Sequence, residues 1–238
     1  MDLNEALRST GAAREFRPEP VADDVIERIL DTARFAPSGG NRQGWRVIVV
    51  DDPTLRSRLR DFYVEHWYAY LAQRAAGLTP WAPVTDRDAE AAAIQRAGEV
   101  RAEAEAGPGG FAEHFDEVPV LLVVLADQRN LAAVDRDLDR YTMVGGASIY
   151  PFVWSILLAA RDEGLGGVMT TMVIRSEPEV KELLDVPDEL AIAAVVALGH
   201  PVVQPRRLRR SAVPTFTSVD RYGGAPFGSA GAAGGGAA

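Results

Sequence analysis

Four short segments of this chain carry side chains suited to holding a flat, anionic ligand. Arg14 stands in a polar N-terminal stretch, Leu7-Arg8-Ser9-Thr10-Gly11-Ala12-Ala13-Arg14-Glu15-Phe16. Small residues at Gly11, Ala12 and Ala13 let the backbone approach a ligand closely, and the Arg14 guanidinium can pair with a phosphate. Ala36-Pro37-Ser38-Gly39-Gly40-Asn41-Arg42-Gln43 offers amide and hydroxyl groups on a tight loop. Thr170-Thr171 falls where a strand-like run ends, so that backbone N–H groups can face a ring. Arg206, Arg207, Arg209 and Arg210 crowd five positions, and the alternation of an extended segment sets Arg207 and Arg209 on one side. Singly, each segment also reads as a helix stop, a strand end or solvated charge. Together, in this order, they read as a binding site.

Other chemistries find little support. The 238 residues contain no cysteine, which excludes a disulfide scaffold, a thiol nucleophile, thiolate zinc and an iron–sulfur cluster. His66, His114 and His200 are the only histidines, and none has a second ligand at helical spacing, so no metal site is expected. No G-x-S-x-G elbow and no Walker sequence occurs, and Gly164-Leu165-Gly166-Gly167 lacks the third glycine of a dinucleotide fingerprint. A net charge of −9 argues against a general nucleic-acid binder. No run approaches a membrane span, and Met1-Asp2-Leu3-Asn4-Glu5 has no basic region leading into an apolar one. A cytoplasmic protein with no nucleic-acid or membrane partner is the expectation.

The elements that must position these segments follow from periodicity. Val25, Ile26, Ile29, Leu30 and Ala33 recur at helical spacing behind Asp23 and Asp24, predicting a helix over 23–36 that Pro37 ends. Trp45–Val50 reads as a buried strand, and Pro53 starts a second helix toward Leu71. Residues 72–110 read as a loop, a solvated helix and a second loop, an insertion or lid. Val118–Ala126 fits a central strand. Met143–Arg161 fits a buried helix in which Pro151 marks a kink or a second start. Val168–Ile174 is strand-like, and Ser176-Glu177-Pro178-Glu179 has capping-box spacing for a helix through Leu184. Ala191–Leu198 is the last strong strand. Alternating strands and helices favour a layered α/β architecture. Gly223–Ala238, almost all glycine and alanine, is expected to be a disordered tail.

The run from Arg14 to Val50 resembles the flavin-dependent nitroreductase family, most specifically in Ala-Pro-Ser-Gly-Gly-Asn-Arg-Gln. So do Ser148–Trp154, Leu157–Arg161, Gly164–Gly166, Thr170-Thr171 and the closing Ala197-Leu198-Gly199-His200-Pro201 with its arginines. The likeness covers most of residues 5–222, with 55–117 poorly matched. It implies an α+β fold, a three-layer α/β/α sandwich around a mixed, largely antiparallel sheet, with 1–222 as one FMN-binding domain and 55–117 as a variable lid. It further implies a homodimer with one FMN per site at the subunit interface. Arg14, beside Gly11, Ala12 and Ala13, would hold the FMN phosphate with Arg207 and Arg209. Pro37, Ser38, Gly39 and Asn41 would serve the flavin pocket from the neighbouring subunit. Backbone groups near Thr170 and Thr171 would face the ring. Gly11 stands where the family often carries arginine, and Arg8 is the candidate to replace that contact. The implied reaction is ping-pong electron transfer from NADH or NADPH through the flavin to a small nitroaromatic, quinone or related acceptor. Two alternatives keep the flavin: specialised dehalogenation, dehydrogenation or flavin fragmentation, and non-catalytic flavin binding. Trp67, Tyr68, Tyr70 and Trp81 would either form a lid over the flavin or pack the insertion.

Overall fold

Val120–Asp127 (β2) is an unbroken apolar run until its last residue, and every position in it is buried. Such a strand has to be covered on both faces. It pairs antiparallel with Trp45–Val49 (β1) on one side and with Leu190–Gly199 (β4) on the other. Gly166–Thr170 (β3) pairs antiparallel with β4, giving the order β1-β2-β4-β3. The computed structural model describes residues 1–104 and 107–228. Among these, the one parallel contact of the sheet is the isolated bridge between Ala12 and Gly167.

Side chains alternate between two cores. Leu122, Val124, Val196 and Leu198 face a layer formed by the helices Asp23–Ala33 (α2) and Tyr150–Asp162 (α6), where Trp45 stacks on Phe152 with centroids 4.7 Å apart. Leu121, Val123, Val195 and Ala197 face Leu59 and Tyr63 of Pro53–Ala75 (α3), together with Phe115 and Val180. A bulge shifts the pairing from Val124–Ala194 to Leu125–Ile192. The extra residue turns Ala193 and Ala194 toward the same layer, and the Tyr150 hydroxyl donates to the Ala193 carbonyl at 3.3 Å. The result is the expected three-layer α+β sandwich.

Several local expectations are corrected. Leu3–Ser9 is a helix (α1) not assigned from the sequence, capped by the Asp2 carboxylate on the Asn4 and Glu5 amides. The solvated helix of the insertion is two, Arg87–Gln95 (α4) and Ala97–Ala104 (α5). The helix over 143–161 divides into a 3-10 turn, Val144–Ser148, and α6, with Pro151 in its first turn where no N–H is needed. The strand over 168–174 stops at Thr170; Met172–Ser176 turns into a 3-10 helix that buries Met172 and Val173 toward α3. The capping box at Ser176 does not form. Its hydroxyl lies 2.8 Å from His66 Nε2, and Glu177 instead accepts the Ile192 amide at 2.6 Å ahead of Glu177–Leu183 (α7). Of the expected tail, residues 223–225 lie in a turn closed by Val219 N donating to Ala225 O, and 229–238 lie outside the described residues. No helix among the described residues is long and apolar enough to cross a membrane.

Candidate functional site

The two ends of the chain meet beside β3. Ala13 N donates to Gly167 O at 3.0 Å, Val202 N to Glu15 O at 3.0 Å and Leu208 N to Arg8 O at 2.8 Å. Residues 8–15 are thus pinned between an edge strand and the C-terminal segment. Gly11 is small because protein, not ligand, fills its flank: an added Cβ would lie 2.9 Å from Leu208 Cδ2 and 3.0 Å from Pro205 Cγ. Ala12 is exposed and Ala13 buried. Leu208 is the half-buried anchor of the arginine cluster, and its neighbours Arg207 and Arg209 are exposed.

The junction gathers several exposed cations in an otherwise acidic chain. Among the described residues, Arg8, Arg14, Arg206, Arg207 and Arg209 are exposed and have no carboxylate within 4.0 Å. Arg28, Arg34, Arg60, Arg129 and Arg140, by contrast, each hold one. Two polar groups that sequence reasoning missed join the cluster. Arg161, from the end of α6, reaches the Ser9 hydroxyl at 3.4 Å, and the Thr10 hydroxyl is buried without a hydrogen-bond partner. Neither has a local signal, because each acquires its neighbours only through tertiary contact.

Thr170 ends β3 next to this junction, and its hydroxyl accepts the Met172 amide at 3.3 Å; Thr171 is exposed on the turn that follows. Tyr63, a core residue of α3, was not expected here. Burial pushes its phenol up, while the neighbouring Thr170 hydroxyl and the Arg14 charge act the other way.

The Pro37–Gln43 loop lies elsewhere. Ser38 Oγ accepts the Gln43 amide at 3.0 Å, and Gly39 N donates to Ser148 Oγ at 3.1 Å. Gly40, Asn41 and Gln43 all have positive φ, at 61°, 52° and 49°. For the two that are not glycine this is stored strain, of a kind that accumulates at functional sites. Pro37 lines a separate groove with Phe35 and Leu158. The loop enters β1, one edge of the sheet, whereas Ala12–Arg14 flank β3, the other edge. Three strand spacings, about 14 Å, separate those edges. One copy of the chain therefore does not bring Ser38, Gly39 and Asn41 to Arg14 and Thr170.

A cavity of about 810 Å³ opens between Arg14–Pro18 and the insertion, lined also by Trp67, Phe111, His114 and Val202. Of the four candidate lid aromatics, Trp67, Tyr68, Tyr70 and Trp81, Trp67 alone lines it. Tyr70 stacks on Trp67 with centroids 5.2 Å apart, Trp81 lies 6.3 Å from Tyr70, and the buried Tyr68 donates to Glu113 at 2.6 Å. His114 fixes the rim through Glu117 Oε1 on Nδ1 and Pro108 O on Nε2, both at 3.0 Å. Both partners are acceptors, a pair of contacts that only the doubly protonated ring can make, so its pKa is raised, first by the Glu117 hydrogen bond. The tie is fully present below the ordinary histidine value near 6.5 and is lost as pH rises through the higher folded value. NMR titration of the ring is expected to give a pKa above 6.5, with faster amide exchange over 108–114 once the proton leaves; a value at or below 6.5 contradicts this geometry.

Comparison with known proteins agrees with this fold. The model of the Nitroreductase family matches residues 7–200. Over 202 residues the chain is 29% identical to the NADH dehydrogenase of Thermus thermophilus, covering 84% of this chain and 87% of that one. Over 200 residues it is 30% identical to the 5,6-dimethylbenzimidazole synthase of Rhodobacter capsulatus, covering 84% and 83% respectively. The crystal structure of an oxidised iodotyrosine deiodinase bound to FMN and 3-iodo-L-tyrosine superposes with a TM-score of 0.61 at 23% identity, over 89% of this chain and 96% of that one. With the family model spanning the sheet, α2, α6 and the insertion, the chain belongs to the nitroreductase family.

Proposed function

We propose that this protein is an FMN-dependent oxidoreductase that takes electrons from NADH or NADPH and delivers them to a small aromatic or quinone acceptor. The observation that carries the reading is the junction of the chain ends, where exposed arginines without carboxylate partners gather beside the end of β3. That donor set fits a phosphate monoester, and the buried, unpartnered Thr10 hydroxyl adds a further donor in the same junction. Arg14, Arg207 and Arg209 would hold the phosphate of FMN, with Arg8 in place of the arginine that Gly11 does not supply. Thr170 and Thr171 would face the ring edge with backbone N–H groups. Bound FMN would supply the two-electron chemistry, so no histidine or cysteine nucleophile is required.

Pro37, Ser38, Gly39 and Asn41 would complete the pocket from a second copy, since the edge-to-edge separation keeps them from Arg14 within one chain. The strained Gly40–Gln43 backbone supports a binding role for that loop. The purified protein is expected to be a yellow dimer with flavin absorbance that bleaches with NADH or NADPH and recovers with a nitroaromatic or quinone. Colourless protein that stays so after FMN addition overturns the reading. The similarity at 30% identity to a 5,6-dimethylbenzimidazole synthase favours a second reading, the same flavin with specialised chemistry. That reading predicts nicotinamide-dependent bleaching without turnover of either acceptor. A binding protein without catalysis would not bleach.

A further inference from the structure

We propose that the cavity beside Arg14 binds the second substrate and selects a planar aromatic ring bearing an anionic group, such as a carboxylate. The inference rests on the flavin reading above, and it concerns residues to which that reading assigns no role. Trp67 and Phe111, which line the cavity together with Phe16, are both held in place before any ligand arrives. Trp67 stacks almost parallel on Tyr70, with 9° between the planes. Phe111 stands edge-on to Tyr63 at 5.9 Å and to Phe115 at 5.5 Å. Prefixed aromatic walls receive a flat ring at little entropic cost. A cavity of about 810 Å³ lies within the size range of small-molecule sites.

The charged groups of the lining select among flat rings. Arg14, Arg17 and His114 line the cavity against Glu15 and Glu117, and Glu117 is engaged by His114 at 3.0 Å. Arg17 has its backbone tied to His200 O at 2.8 Å, while its guanidinium meets Glu19 only at 4.0 Å and is free to accept a better anion. With Arg14 directed to the cofactor, Arg17 is the specificity-determining cation. A neutral ring would gain the stacking and leave that charge unused; a carboxylate would gain a charge-assisted hydrogen bond as well.

Calorimetry on the oxidised, FMN-loaded protein without nicotinamide tests this, using 4-nitrobenzoate and its neutral counterpart 4-nitrobenzamide. The benzoate is expected to bind about 10-fold tighter or better, the benefit of one charge-assisted contact. Arg17→Gln, at an exposed position, is expected to erase the difference by weakening the benzoate alone. Trp67→Leu is expected to weaken both ligands about 10-fold. Equal affinities in the unaltered protein, or a preference that survives Arg17→Gln, overturn the inference and leave the flavin reading standing. Protein that takes up no FMN overturns the flavin reading itself.

Discussion

Arg14→Ala is expected to weaken FMN by about 1.5–3 kcal/mol, the scale of a charge-assisted hydrogen bond, and Arg209→Ala by a similar amount. Neither guanidinium holds a carboxylate among the described residues, so its removal leaves no buried partner uncompensated. The loss should therefore appear in affinity and not in folding. The backbone that carries Arg14 is fixed independently of its side chain, by Ala13 N on Gly167 O and Val202 N on Glu15 O. Fluorescence titration of apoprotein with FMN measures the effect, with thermal unfolding of the apoprotein as the check on folding. Arg28→Ala is the matched control. That arginine bridges Asp24 at 2.7 Å and Glu163 at 2.9 Å, so its charge is already engaged, and its loss should leave FMN affinity unchanged. Wild-type affinity in both Arg14→Ala and Arg209→Ala would put the phosphate elsewhere.

The largest effect on stability is expected from Gly167→Val. Gly167 lies in β3, half-buried, opposite Leu198 of β4. A Cβ built there overlaps Leu198 Cδ2, lies 2.7 Å from the Ala197 carbonyl and comes within 3.1 Å of Leu157 Cδ2. The carbonyl belongs to a paired strand that is buried from Ile192 to Gly199, and it has nowhere to go. Overpacking of this kind costs about 3 kcal/mol or more. In a chain of this size that lowers Tm by roughly 6–12 °C. The same substitution strains the Ala13–Gly167 hydrogen bond, so FMN affinity should fall together with stability. Gly98→Ala, in α5 with nothing within 4 Å of its added Cβ, should raise Tm slightly. A Gly167→Val protein that melts with the unaltered one would refute the packing described for β3.

Much of the site's composition was legible, and little of its assembly. Arg14, Thr170 and the Arg206–Arg210 cluster stand out by type, and the structure brings their segments to one edge of the sheet. The reason assigned to Gly11 was different, because a glycine's small size looks alike whether a ligand or Leu208 occupies the space beside it. Tyr63, Arg161, Thr10 and Arg17 carried no signal. Tyr63 sits at an apolar position of a long helix, and its neighbours Thr170 and Arg14 are distant in sequence. Of the candidate lid aromatics, Trp67 lines the cavity, Tyr70 stacks on Trp67, and Trp81 lies tilted behind Tyr70.

The amino-acid order alone determined what depends on neighbours a few residues apart. The unbroken apolar runs of β2 and β4 demanded cover on both faces, the 3.6-residue spacing of α2 demanded a helix with one buried side, and Pro151 admitted a helix start. Tertiary structure decided everything that depends on partners far along the chain. It ended β3 at Thr170, because Met172 and Val173 bury better toward α3 than in a ladder, and it took Ser176 from its cap to meet His66. It also joined Arg8 to Leu208 across 200 positions and set Asn41 at the opposite edge of the sheet. Local propensities are worth tenths of a kcal/mol per residue, and burial of a whole side chain is worth several times more, so long-range packing prevails wherever the two disagree.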